Sequence, residues 1–203
     1  MSRYLGPRLR KARALDCDLP GLTNKSRERR PQRPGQHGAA RRRRPSEYAL
    51  RLNEKQKLRF NYGLSEKQFR RVVEESKRSK TVTGAKILEL LERRLDNVIF
   101  RAGFAPTIPA ARQIVNHGHF LRNGKRLDIA SARVNVGDVI TLRPRSIEHP
   151  LVMQSLDAPS LLVPDWLSVK KDEKIITIKE LPGADSSPVV VDVQLIVEYY
   201  ARA

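Results

Sequence analysis

The chain has 203 residues, 39% of them apolar, enough for one ordinary domain or two small ones around a thin core. Its 40 Lys and Arg face only 22 Asp and Glu, a formal net charge of +18, and a compact chain carries such a field at the expense of self-repulsion unless a polyanion quenches it. The single cysteine, Cys17, excludes an intramolecular disulfide and a cysteine-based zinc site and fits a reducing, intracellular setting, and no run approaches the ~18–20 apolar residues of a membrane span.

The charge is unevenly placed. Residues 1–50 hold 14 basic and 4 acidic side chains, residues 51–100 hold 13 and 7, residues 101–150 hold 8 and 3, and residues 151–203 hold 5 and 8. The first three quarters therefore face the anion, and the last quarter is expected to be structural. The opening MSRYLGPRLRK lacks the apolar stretch of a secretory signal, and Gly6-Pro7 interrupts an amphipathic transit peptide, so neither is expected.

Residues 1–45 show no sustained apolar periodicity; Leu15, Leu19 and Leu22 are local anchors among Arg, Pro, Gly and Asn. Within RPGQHGAARRRRPSEY, residues 33–48, helix-breaking Pro and Gly precede four arginines, Arg41 to Arg44. The segment reads as a basic arm that orders on nucleic acid. Ser46 caps a helix through about Tyr62, with Gly63 as its stop. That helix is polar all round, with Arg51, Lys55, Lys57 and Arg59, and needs a partner surface to be worth forming. Ser65 and Gln68 form a capping box, with Leu64 and Phe69 as its hydrophobic staple, for a helix to roughly Lys77.

Thr83 starts the most periodic helix, to about Ala102, with Ile87, Leu91, Leu95, Val98 and Ala102 as a core stripe. Arg94, Asn97 and Arg101 fall on one flank, and Glu89, Glu92 and Asp96 on the other. Thr107 caps the next helix, Pro109 fits its first turn and Gly118 ends it. Its outer face carries Arg112, Gln113, Asn116 and His117, four donors and no carboxylate. HFLRNGKRLDI is a hairpin, because Asn123-Gly124 suits a type I′ turn with positive φ twice, and Lys125 and Arg126 sit at its tip. RVNVGDVITLRP gives another strand with a Gly137-Asp138 turn or bulge, and KIITIK a further strand. The ending VVVDVQLIVEYY alternates apolar and polar residues and reads as a half-buried strand.

No catalyst is apparent. The phosphate loop GxxxxGK[ST], HExxH and GxSxG are absent. His117-Gly118-His119 resembles a metal pair, yet no nearby acid or cysteine completes it. RRLDN, residues 93–97, is similar to the RLD of one group of pseudouridine synthases, but Val98-Ile99-Phe100 follows where that group has Thr-Ser-Gly, and Asp96 is in step with Glu92 as a helix-flank ion-pair partner. Dense Lys and Arg, a rigid helix pair and a basic hairpin tip suit folded RNA, which is read by shape and backbone. Double-stranded DNA suits it less, since no helix-turn-helix operator reader is evident.

Six stretches carry a resemblance: MSRYLGPRLRKAR, PGQHG at 34–38, EKQKLRFNYGLSEKQFRR at 54–71, LERRLDNVIFRAGF at 91–104, ARQIVNHGHFLRNGKRLDI at 111–129 and LIVEYY at 195–200. In that order, over almost the whole chain, they resemble the small-subunit ribosomal protein S-four (uS4) family. LTNK, LRFNYGLSE and TIPAARQIVNHGHF look most like its cyanobacterial and plastid branch. The resemblance implies an α+β fold: an extended basic arm over residues 1–45, the helical part of a first domain over 46–91, an inserted S-four-type RNA-binding module over 92–149, two helices on a small sheet, and C-terminal strands over 150–203 returning to the first domain. It implies a structural, non-enzymatic role: binding the 5′ domain of 16S-type rRNA, nucleating small-subunit assembly and serving translational accuracy with the fifth small-subunit protein. The implied location is the ribosome, in the cytoplasm or in the plastid stroma if plastid-encoded, with no cofactor, membrane or small-molecule substrate.

By position, Arg94, Arg112, Gln113, His117, Lys125 and Arg126 are the implied RNA contacts of the module. Arg3, Tyr4, Arg8, Arg10, Lys11, Arg51, Lys55, Lys57 and Arg59 are those of the first domain, joined by Arg41, Arg42, Arg43 and Arg44 of the arm. Some members hold a zinc or iron–sulfur site on several N-terminal cysteines; this chain has only Cys17, so no metal is expected. Two other classes compete, an RNA-modifying enzyme that borrows the same module and a general RNA chaperone with loose affinity.

Overall fold

The computed structural model describes residues 4–40 and 44–201; the expectations for Arg3, Arg41, Arg42 and Arg43 lie outside the described residues. In chain order the elements are α1 (Arg8–Leu15), α2 (Glu47–Asn61), α3 (Glu66–Lys77), α4 (Thr83–Glu92), α5 (Leu95–Arg101), α6 (Ile108–Asn116), β1 (Phe120–Arg122), β2 (Lys125–Arg126), β3 (Val139–Leu142), α7 (Pro150–Asp157), β4 (Leu167–Lys170), β5 (Ile175–Ile178) and α8 (Val193–Ala201), with short 3-10 turns at Pro144–Ser146 and Ala184–Ser186. The class is α+β. The chain divides into two units: residues up to Ile87 together with those from Ser187 onward, and Leu88–Ser186. Among the described residues no helix is long and apolar enough to cross a membrane.

In the first unit the expected capping works as chemistry. The Ser46 hydroxyl accepts from the Ala49 amide. Ser65 and Gln68 close a reciprocal capping box, with Leu64 and Phe69 both buried. The arm is not all arm: α1 forms, and Ala12, Leu19 and Leu22 share a core cluster with Phe60 and Val189. The anchors at Leu19 and Leu22 are thus real, and the buried Asn61 carboxamide reaches back to accept from the Gly21 amide at 2.9 Å.

The last segment differs from its expectation. Val193–Ala201 is a helix, not a strand. Asp192 acts as its cap, its Oδ1 accepting from the amides of Gln194 and Leu195 at 3.0 and 3.4 Å. The β-forming run LIVEYY is overridden by packing on α2. The Arg51 Nε donates to Glu198 at 2.8 Å. The Glu66 carboxylate accepts from Lys55 at 3.0 Å and from the Tyr200 hydroxyl at 2.6 Å. The Lys55 ammonium sits 4.4 Å from the centre of the Tyr199 ring. So α2, polar all round, has its partner surface within the chain.

The second unit holds a five-stranded antiparallel sheet in the order β2-β1-β3-β5-β4. Residues 150–186, expected to return with strands to the first domain, lie in this unit instead, β5 pairing with β3; only residues from 187 onward join the first. Phe120, Ile140, Leu142, Ile176 and Ile178 are buried on the sheet, and Leu95, Val98, Ile99, Ile108, Ala111, Ile114 and Val115 on α5 and α6.

The single helix expected over 83–102 is two. Arg94 is extended at φ −70°, ψ 138°, and caps α5. At this break the backbone changes partners: the Leu95 and Asp96 amides donate to the carbonyls of Ala132 and Ala130, and the Val134 amide donates to Arg93. The apolar stripe continues in phase across the break, so periodicity passes over it.

Replacing Tyr200 by Phe removes one bond to a carboxylate and leaves packing intact. It is expected to cost about 1–2 kcal/mol, read as a lower urea midpoint and faster amide exchange along α8.

Candidate nucleic-acid interface

The organising group of the second unit is Asp96, fully buried in the first turn of α5. Its carboxylate accepts from Arg94, Nε to Oδ1 at 3.1 Å and Nη2 to Oδ2 at 2.8 Å, and from Arg112 on α6, Nη2 to Oδ2 at 2.7 Å. The charge therefore ties the start of α5 to α6. Glu92, also fully buried, pairs with Arg101 at 3.5 Å and accepts from the Asn97 carboxamide at 3.1 Å. The two flanks expected on opposite sides of one helix thus interlock. An Asp96 closed off by two guanidiniums is no base for a nucleotide, whatever the likeness of its RLD context.

Opposite this buried network, the outer face of α6 and the hairpin converge. Gln113 and His117 are exposed on α6, and Lys125 and Arg126 at the tip of β2. Asn123 and Gly124 take φ of 50° and 76°, as the two-residue turn requires. The Arg126 guanidinium lies against Gly118, whose Cβ, if it had one, would meet the Arg126 Nε at 2.7 Å. The basic tip is so brought beside the end of α6.

The hairpin is anchored from behind by Asp138, buried ahead of β3. It accepts from the Asn135 amide at 2.6 Å, the Asn123 carboxamide at 2.9 Å and Arg122 at 2.7 Å. Burial pushes this carboxyl up, but the Asn135 amide, the Asn123 carboxamide and the Arg122 guanidinium outweigh it and hold it below the usual carboxylate range.

In the first unit the expected contacts divide. Arg8, Arg10 and Arg44 are exposed. Tyr4 meets Phe60 edge-on at 5.4 Å, with Lys11 5.0 Å and Arg59 4.5 Å from the Phe60 ring centre. Lys55, only 4% exposed, Arg51 and Lys57 are committed to Glu66, Glu198 and Glu54. The resemblance implies these three as RNA contacts; their carboxylate partners lie on α8 for Arg51, on α3 for Lys55 and on α2 itself for Lys57.

Two family models match. The Ribosomal protein S4/S9 N-terminal domain covers residues 3–92 and the S4 domain residues 93–140. Over its whole length the chain is 54% identical to the small ribosomal subunit protein uS4 of Methylobacillus flagellatus, 53% to the protein uS4B of Nitrosomonas europaea and 52% to the uS4 of Synechococcus elongatus, covering 99% of each. The chain belongs to the uS4 family. It is by family a structural ribosomal protein and not an enzyme, and the cyanobacterial likeness of 52% stands beside 54% and 53% to other bacteria. The seam between the two family matches, at 92 and 93, falls on the break between α4 and α5.

Several basic groups near the tip are not among the implied RNA contacts: Arg122, Arg143, Arg145, His119 and His149. The Arg143 side chain donates to the Gly118 carbonyl at 3.2 Å. Their signal was present, since Arg143 and Arg145 flank Pro144 directly after β3, but only pairing of β3 with β1 carries them to the end of α6.

Two outcomes follow for this member of the family. Asp96→Asn leaves two buried guanidiniums short of charge and is expected to destabilise the second unit by about 3–5 kcal/mol, read by denaturant unfolding. For Asp138 the sign is that of a depressed acid: its stabilisation is present above about pH 4 and lost as pH falls through its lower folded value. Amide protection at Asn123 and Val139 should fade on acidification below pH 4 in the wild type, and be weak at every pH in Asp138→Asn.

Proposed function

We propose that this chain binds small-subunit ribosomal RNA directly, at a multi-helix junction of the 5′ domain, and acts early in assembly of the subunit in the cytoplasm. The observation that carries the reading is the convergence of Gln113, His117, Lys125 and Arg126 on one face of the second unit, with Asp96, Glu92 and Asp138 buried behind them and Asp128 the one exposed acid paired with the tip among the described residues. RNA helices offer phosphates and 2′-hydroxyls rather than readable base edges, and a rigid basic tip beside a donor-rich helix end matches that surface. Arg8, Arg10 and Arg44, with the arginine run 41–43, supply a second set of phosphate contacts from the first unit. Arg51, Lys55, Lys57, Arg94 and Arg112 act one step back, holding the elements that present these groups. Service to translational accuracy beside the fifth small-subunit protein is the remaining part of the proposal; it rests on family membership.

The test is binding to a 5′-domain RNA fragment across salt concentrations. Lys125→Ala combined with Arg126→Ala should weaken binding and flatten the log–log salt slope by about one unit per lost phosphate contact. Serine at Arg41 to Arg44 should do the same from the arm. Slopes equal to wild type in both variants, or equal affinity for unrelated RNA, would reject the assignment.

A further inference from the structure

The end of α6 carries more than the basic tip. His119 lies between two other imidazoles, with ring centres 6.0 Å from His117 and 4.8 Å from His149, the latter edge-to-face at 70°. Its Nδ1 is engaged with the Ser146 hydroxyl at 2.8 Å, which leaves Nε2 as its other ring nitrogen. The Nδ1 of His149 is buried without a hydrogen-bond partner among the described residues.

The groups around His119 come from five elements. The end of α6 brings His117, the hairpin brings Arg126 against Gly118, the end of β3 brings Arg143, and the 3-10 turn brings Arg145. His149 is the cap residue of α7, whose N-terminal dipole adds positive potential. Two carboxylates border the set: Asp128, paired with Arg126 at 3.3 Å, and Glu148, exposed and next to His149 in the chain. The surroundings are thus net cationic, and among the described residues no group of three ligating side chains is placed to hold a metal ion. Charge of this sign selects an anion.

We propose that His117, His119 and His149, with Arg126, Arg143 and Arg145, form a phosphate site whose affinity is gated by protonation, so that RNA backbone bound there draws a proton onto the cluster. In the chain alone, burial first, then the neighbouring imidazoles and Arg145 and Arg143, push His119 below its ordinary value. The free chain thus disfavours the charged imidazolium, and a neutral ring offers an anion at most one N–H where the charged ring offers a full positive charge. A phosphate dianion or diester between these groups cancels the repulsion and restores the charged form. By linkage, uptake of one proton on binding makes affinity rise as pH falls, by up to tenfold per pH unit while the group titrates. The site deepens the RNA-binding reading and, for the RNA arm of its test, rests on it.

The experiment has two arms on the full chain. In the first, affinity for the 5′-domain RNA fragment is measured from pH 5.5 to 8.5 at fixed salt, for wild type, His119→Gln and His149→Gln. The wild type should bind several-fold to tenfold tighter per unit of acidification near pH 6, and His119→Gln should flatten that dependence on the same RNA. Equal pH slopes in wild type and His119→Gln, with RNA bound, overturn the gated site and leave the RNA-binding reading standing. In the second arm, the imidazole signals of the free chain are followed by NMR during titration with inorganic phosphate. A rise in the pH at which His119 titrates supports the site even if the RNA fragment proves not to bind; unmoved His119 signals at saturating phosphate overturn it. This arm needs no variant, so a folding defect in either glutamine chain cannot decide the outcome.

Discussion

The Asp96 carboxylate holds two guanidiniums at once, in a position with no access to water. Such an arrangement is stable only if the charges and hydrogen bonds close on themselves, because a buried ion without partners costs several kcal/mol. That requirement fixes the turn between α4 and α5, and it fixes the azimuth of α6, since Arg112 must reach back to Asp96. With α6 so oriented, its opposite face, Gln113 and His117, has nowhere to go but solvent. One carboxylate therefore decides which donors of the second unit look outward.

The same rule runs through the first unit. Glu198 takes up Arg51 and ties α8 to α2, Glu66 takes up Lys55 and the Tyr200 hydroxyl and so joins α3 to both, and Glu54 pairs with Lys57 while accepting from the Asp192 amide ahead of α8. In Glu66, burial raises the carboxyl's affinity for a proton, and the Tyr200 hydroxyl and Lys55 more than reverse it. With 22 acids against 40 cations, acids spent at joints between elements leave a surplus of cations on the surface. The surplus is not uniform; it collects on α1, around Arg44 and at the β2 tip, where carboxylates are sparse. On the proposed function, bound phosphate relieves the mutual repulsion there.

Local chemistry was legible in the sequence and long-range chemistry was not. The capping box at Ser65, the caps at Ser46 and Thr107, and the Asn123-Gly124 turn are each set by side chains within a few residues of the backbone they serve. The break at Arg94 is set by carbonyls of Ala130 and Ala132, more than thirty positions away, and a stripe that stays in phase gives no sign of it. α8 was misread because alternation in VVVDVQLIVEYY outweighed one local cue, Asp192 as a cap, while the packing on α2 that settles the matter lies ~140 positions upstream. At the site the division is the same: the hairpin tip is legible from its own Asn123-Gly124 turn, whereas the buried partnerships of Lys55 with Glu66 and of Arg94 with Asp96 are not visible in composition.

A basic surface alone would hold RNA loosely, since long side chains give up rotamer freedom on each contact. The hairpin reduces that loss in two ways. Asp138 fixes Arg122 and Asn123 from the inner side, so the turn presents Lys125 and Arg126 on a frame already set. Gly118, lacking a Cβ, lets the Arg126 guanidinium settle against the end of α6 rather than swing free. Rigidity is thus supplied by acids that face inward and by the absence of a side chain, so that, on the proposed function, the cations meet phosphate with their geometry largely chosen beforehand. An inward carboxylate thus serves the proposed anion binding without touching the anion: by holding the frame, it sets where the positive charge must stand.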